Sequence, residues 1–153
     1  MTGFETSVSL EDEAATAELG SRIAQALRAG DAVLLSGELG AGKTALARAI
    51  LRALGVTEHV PSPSFTLVQG YETRDLTLRH FDLYRIEDER ELEELGLEDA
   101  LADGAVLIEW PDRALARLPE ESLRVDLRVT SELSRRARIT GPPRWRDVFS
   151  GAA

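Results

Sequence analysis

The residues whose spacing most clearly specifies chemistry lie between Gly37 and Ala45, in the run GELGAGKTA. Gly37, Gly42, Lys43 and Thr44 fill the pattern G-x-x-x-x-G-K-[ST]. The glycines let backbone N–H groups turn inward around an anion, and a helix starting near Lys43 adds the positive end of its dipole. Such a cradle suits a phosphate chain. Gly37, Glu38, Leu39, Gly40, Ala41, Gly42, Lys43, Thr44 and Ala45 are therefore the candidate phosphate-binding residues. The chain holds eighteen Lys plus Arg; Lys43 is its one lysine and the other seventeen are arginine. A compact ammonium on a flexible stem can reach between two phosphates, whereas a planar guanidinium is too broad for the loop. The hydroxyl of Thr44 is expected to serve a magnesium ion bridging the terminal phosphates.

Phosphate binding alone hydrolyses nothing. Carboxylates are also needed, to hold magnesium through water or to orient the attacking water, and they belong where a neighbouring strand ends beside the loop. Two positions qualify: Asp82 in LRHFDLY and Glu109 in AVLIEWPD. Trp110, next to Glu109, reads as core by default, with a wall of the nucleotide pocket or an anchor for a partner protein as alternatives. The loop PSPSFT carries hydroxyls at Ser62, Ser64 and Thr66 between prolines and is a candidate switch that senses the terminal phosphate. His59 and His80 have no second histidine at ligand spacing and are read as structural. Guanine-specific P-loop proteins rely on an asparagine-containing N-K-x-D loop, and this chain has no asparagine, so adenine is the expected base.

The elements that position these residues follow from periodicity. Ala32 to Leu35 is an apolar run leading into the glycine loop, and Leu46, Ile50 and Leu54 form a helical stripe leading out of it. Phe4, Thr6, Val8 and Leu10 alternate as a strand, and Ala15, Leu19, Ile23 and Leu27 repeat as a helix that ends by Gly30, with Ser9 and Asp12 resembling a cap. Phe65 to Tyr71 and Leu76 to Tyr84 predict two antiparallel strands joined by a polar turn. Glu87 to Asp103 predicts one helix with Leu92, Leu95 and Leu101 inward. Ala105 to Ile108 suits a buried central strand. Leu123 to Val129 alternates strictly, with Ala137 to Thr140 pairing back against it. The tail from Gly141 onward, with two prolines and small residues, is expected to be partly mobile.

At 153 residues with 43% apolar content, one domain spanning 1–153 is expected, of α/β class. No apolar run approaches the roughly 18–20 residues of a membrane span, and MTGFETSVSLEDE is too acidic and polar for a secretory signal, so a cytoplasmic protein is expected. The absence of cysteine excludes disulfides and thiolate metal sites. A net charge of −9 opposes broad nucleic-acid binding. The charge is uneven: residues 86–121 carry thirteen acids against three arginines, while five arginines face two acids between Glu132 and Asp147. Both read first as solvated faces, with a basic partner for the acidic segment or RNA for the arginines as the alternatives.

Taken together, GELGAGKT, SPSFTLVQGY, HFDLYRI, ELEELGLEDAL and LIEWPD, in this order and spacing, resemble the TsaE family, the small P-loop ATPase of the bacterial machinery that makes threonylcarbamoyladenosine in tRNA. The resemblance runs from about Asp12 to Arg113, and HFDLYR with EWP is more specific than the P-loop alone. It implies a P-loop NTPase-like mixed β-sheet flanked by helices, ATP with Mg2+ as cofactors, and action with the TsaB and TsaD proteins, tRNA being held through that complex. By this likeness Lys43, Asp82 and Glu109 carry catalysis, Thr44, Asp82 and Glu109 serve the metal, and Trp110 lies close to the nucleotide. Ala45 stands where many members have a second threonine, and Ser64 replaces the threonine of SPTF.

The expected function is an ATPase subunit whose turnover resets or licenses a partner transferase. Two rivals stay open: a P-loop small-molecule kinase, and a nucleotide sensor that does not hydrolyse. A kinase needs an arginine-bearing lid, and the segment after the fourth strand is acidic, with Arg90 alone among many carboxylates.

Overall fold

The computed structural model describes residues 3–61, 63 and 66–149. Seven strands form one mixed sheet: β1 (Phe4–Leu10), β2 (Ala32–Gly37), β3 (Val68–Glu72), β4 (Thr77–Asp82), β5 (Ala105–Glu109), β6 (Leu123–Val129) and β7 (Arg135–Gly141). Their spatial order is β1-β7-β6-β2-β5-β4-β3. Four central strands, β6, β2, β5 and β4, run parallel; β7 and β3 run antiparallel to them on either side, and β1 pairs antiparallel with β7 at one edge.

Helices cover the parallel part on both sides, which is why β2 and β5 are apolar without alternation. Val33 and Leu35 point to one face, where α1 (Glu13–Ala26) and α2 (Lys43–Ala53) supply Leu19, Ile23, Leu46 and Ile50. Ala32 and Leu34 point to the other, against Leu92 of α3 (Arg90–Glu94) and Leu97 and Ala100 of α4 (Leu97–Asp103). Strand β6 alternates as expected up to Leu127, with Leu123, Val125 and Leu127 buried and Arg124 and Arg128 exposed, but Val129 at its end is exposed because the strand runs out past the core. Helix α1 is capped by Asp12, whose carboxylate accepts from the Ala15 N–H at 2.9 Å.

Three expectations need correction. The helix expected over Glu87–Asp103 is two short ones, because Gly96 takes a left-handed conformation (φ 76°) that lets α4 start in a new direction. The break turns Leu97 inward with Leu92, and leaves Leu95 and Leu101 half-buried. The third strand starts at Val68 rather than Phe65, which lies outside the described residues. The described part of the tail is anchored: after β7 a 3-10 turn, Pro143–Trp145, leads into α5 (Arg146–Phe149), and Trp145 and Phe149 are both buried in the core, while residues 150–153 lie outside the described residues. No helix among the described residues is long and apolar enough to cross a membrane.

Because β2, β4 and β5 run parallel, their carboxyl ends share one edge of the sheet. Leu35 lies beside Glu109, and Asp82 beside Glu109. The amino end of α2 opens onto the same edge, so sheet polarity delivers the two carboxylates to the glycine loop. This is where ligands bind in open α/β sheets.

Candidate phosphate-binding site at the carboxyl edge of the sheet

The turn from β2 into α2 has no side-chain cap. Gly42 occupies the cap position at φ 102°, a left-handed conformation in which a side chain is strained, and Lys43 is the first helical residue. Helix α2 therefore begins with backbone N–H groups that no side chain satisfies, an arrangement suited to an anion.

Lys43 is only 5% exposed. Its ammonium donates to the carbonyl of Gly37 and, at 2.9 Å, to that of Glu38, and lies 4.0 Å from the centre of the Trp110 ring. Burial pushes its pKa down, while the charges of Glu109 and Asp82 push it back up. Here the lysine turns back onto the loop's own carbonyls. These are neutral acceptors, weaker partners for an ammonium than charged oxygens.

Glu109 ends β5 at 2% exposure, a buried carboxylate that must be paired to be tolerated. Two side chains meet it. The hydroxyl of Thr44 donates to both oxygens, at 2.9 and 3.0 Å, and Nε2 of His80 lies 2.7 Å from Oε2. Asp82, also buried, ends the neighbouring strand, and its Oδ1 accepts from the Tyr84 N–H at 3.0 Å. Trp110 follows Glu109 in a left-handed conformation (φ 58°), unusual for a bulky residue and costing on the order of 1–3 kcal/mol. The next residue is Pro111, which opens a 3-10 turn. The bend packs the Trp110 ring against Tyr84, with centroids 4.8 Å apart, and over the lysine.

Leu39, Gly40, Gly42, Lys43, Thr44, Ala45, Asp82, Glu109 and Trp110 line one cavity of about 350 Å³. Gly37, Glu38 and Ala41 instead line a neighbouring cavity of about 610 Å³, which also uses Trp110 as a wall. The sequence-predicted set is thus brought to one place, with Trp110 between two hollows. Of the candidate switch loop, Ser62 and Ser64 lie outside the described residues.

Two side chains of this neighbourhood were not expected. His80, read as structural, is fully buried against Glu109. The signal was present: in a strand, residues two apart share a face, so His80 and Asp82 belong together. Arg135 at the start of β7 donates to the Gly40 carbonyl at 3.2 Å and ties the last hairpin to the glycine loop. No local pattern announces that contact.

A strand, a glycine loop and a helix on a mostly parallel sheet, with carboxylates from two adjacent strands facing the loop, define a P-loop-type α/β protein. Its fold is similar to the crystal structure of Bacillus subtilus YdiB, with a TM-score of 0.81 and 25% identity over 99% of this chain and 95% of that one. The family described as threonylcarbamoyl adenosine biosynthesis protein TsaE matches residues 10–138, and the chain belongs to that family. Among its relatives are the tRNA threonylcarbamoyladenosine biosynthesis proteins TsaE of Rickettsia felis and Streptomyces coelicolor. The first is 40% identical over 82% of this chain and 74% of the relative, the second 40% identical over 84% and 92%. That of Nostoc sp. is 39% identical over 88% and 85%.

Proposed function

We propose that this chain binds ATP with magnesium and hydrolyses it in the cytoplasm, within the machinery that forms threonylcarbamoyladenosine in tRNA. TsaB and TsaD are the proposed partners, and turnover resets or licenses the partner that transfers the threonylcarbamoyl group; tRNA is met only through the complex. The observation that carries the reading is the Thr44–Glu109 hydrogen bond at 2.9 Å. The threonine gives its proton to the carboxylate, so its oxygen lone pairs remain available to a cation.

The donor set fits magnesium better than a transition metal. Among the described residues no group of three His, Cys, Asp or Glu side chains could hold a metal ion. Magnesium does not require one, because it keeps several waters and takes one or two protein oxygens plus phosphate oxygens. Thr44 would be its direct protein ligand, with Asp82 and Glu109 reached through water. When bound, the ion draws charge from the terminal phosphate oxygens.

The chain's own residues do the rest. Backbone N–H groups from Gly37 to Ala45 cradle the phosphates, the ammonium of Lys43 exchanges the Gly37 and Glu38 carbonyls for phosphate oxygens, and Asp82 or Glu109 orients the attacking water. Trp110 keeps bulk water from the lysine.

The test is an ATPase assay on the chain alone and with the two partner proteins. Lys43→Ala should abolish nucleotide binding or turnover. Glu109→Gln should retain binding and lose turnover by about 100-fold or more, as loss of a water-orienting or metal-serving carboxylate does. Undiminished hydrolysis in both variants removes the site assignment; phosphate transfer to a free metabolite without partners would favour a kinase.

A further inference from the structure

Among the described residues the carboxylate of Glu109 hydrogen-bonds to two side chains, the loop threonine and one residue the proposed mechanism does not use. That residue is His80. It sits on β4 opposite Leu107 of β5, two residues before Asp82, and is fully buried. Its Nε2 is 2.7 Å from Glu109 Oε2, and its Nδ1 has no hydrogen-bond partner among the described residues.

This asymmetry fixes the proton. A neutral imidazole offers one N–H and one bare nitrogen, and an ionised carboxylate can only accept. Placing the proton on Nε2 satisfies the carboxylate and leaves a lone pair on Nδ1. Placing it on Nδ1 would bury an orphaned N–H and set two acceptors 2.7 Å apart.

The geometry points to His80 as a positioning residue: an Nε2–H donor that fixes the rotation of the Glu109 carboxylate, so that the Thr44 hydroxyl meets it in one orientation. The inference rests on the proposed ATPase reading for its kinetic consequence, but not for its structural one. Thr44 alone cannot fix the plane, because it bonds both oxygens almost equally, at 2.9 and 3.0 Å. His80 bonds one oxygen only. It therefore opposes rotation of the carboxylate plane, which would carry that oxygen out of hydrogen-bond reach. Partners of this kind, one step removed from a metal, change affinity or activity by about 10–100-fold when removed.

Two variants and one spectroscopic measurement test this. Long-range proton–nitrogen correlations on labelled protein, with His59→Gln to assign the other histidine, should give His80 a proton on Nε2. Glu109→Ala should abolish that pattern. His80→Leu should lower kcat for ATP by about 10–100-fold with KM changed less than about threefold, and should weaken the magnesium-dependent part of ADP binding in calorimetry by a similar factor. His80→Gln, which can present an amide N–H to Oε2, should recover most of both. Circular dichroism melts establish that each variant is folded. An Nε2 without a proton in the parent chain overturns the proposal, as does a Leu variant with undiminished kcat or a Gln variant as impaired as Leu. If the parent hydrolyses no ATP with its partners, the ATPase reading fails by itself, and the tautomer with the ADP–magnesium titration decides the role of His80.

Discussion

The ammonium of Lys43 lies 4.0 Å from the centre of the Trp110 ring, while the carbonyls of Gly37 and Glu38 accept its protons. A cation against an indole face gains roughly 0.5–2 kcal/mol, so without a phosphate the pair holds the lysine against the ring. Charged phosphate oxygens are stronger acceptors than carbonyls, and nucleotide binding is expected to pull the ammonium off the ring.

That movement has an optical consequence. The chain has two tryptophans, and Trp145 is 1% exposed in the core. With Trp145→Phe as background, titration with ATP and magnesium should change the Trp110 emission saturably, and Lys43→Met should remove the change. Emission that stays flat while calorimetry records binding would mean that the lysine keeps its place against the indole.

The buried lysine also sets a pH dependence. Burial depresses the Lys43 pKa below its ordinary value of 10.5, so the charged form is disfavoured in the folded chain. Between the depressed folded pKa and 10.5 the unfolded chain binds more protons, and stability rises with pH through that window. Below it, the full burial penalty is present. Lys43→Met should therefore stabilise the nucleotide-free chain at neutral pH, and its advantage should shrink as pH climbs toward 10.5. Paired thermal melts at several alkaline pH values measure the gap; one that widens with pH contradicts the burial argument.

Sequence pattern reached the loop residues and both carboxylates because each is announced locally. Gly42 and Lys43 sit in a motif, Asp82 closes a strand, and Glu109 closes an apolar one. What pattern missed depends on non-local contacts. Arg135 meets Gly40 across ninety-five positions of chain, a contact set by how β7 lies in the sheet. The tail looked mobile because proline and small residues dominate it, yet Trp145 and Phe149 find a surface left open beside α1 and β1. The single helix expected after β4 failed for a local reason: Gly96 sits inside an otherwise continuous helical stripe, and periodicity does not register a left-handed residue.

Helix α2 carries the lysine and the threonine, so its seat on α1 matters for the site. Gly20 of α1 lies against α2 so closely that a Cβ there would stand 2.6 Å from the Ala49 Cβ and 2.9 Å from the Ile50 backbone nitrogen. Gly20→Ala gains about 1 kcal/mol of helix propensity. Overpacking against backbone costs about 1–3 kcal/mol and is expected to win. The variant should melt lower, by about 2–4 °C for each kcal/mol lost, and bind nucleotide more weakly because α2 is displaced. A higher melting temperature would show that the two helices separate without cost.

The tail supplies the last prediction. Trp145 stacks on Phe149 with centroids 6.4 Å apart, and Phe149 on Phe4 at 5.8 Å, so an aromatic row joins the end of the chain to its first strand. The guanidinium of Arg144 lies 4.4 Å from the centre of the Trp145 ring and pairs with Asp31, which precedes β2. Trp145 thus contacts both Phe149 and Arg144 within the core, and removing it opens a cavity that its neighbours can only partly close. Trp145→Ala should cost about 3–5 kcal/mol in urea unfolding. Nucleotide affinity of the fraction that remains folded should be unchanged, because none of the residues lining the phosphate cavity belongs to the tail. A loss below about 1 kcal/mol would mean that the tail rests on the core without contributing to it, and the expectation of a loose terminus would be right after all.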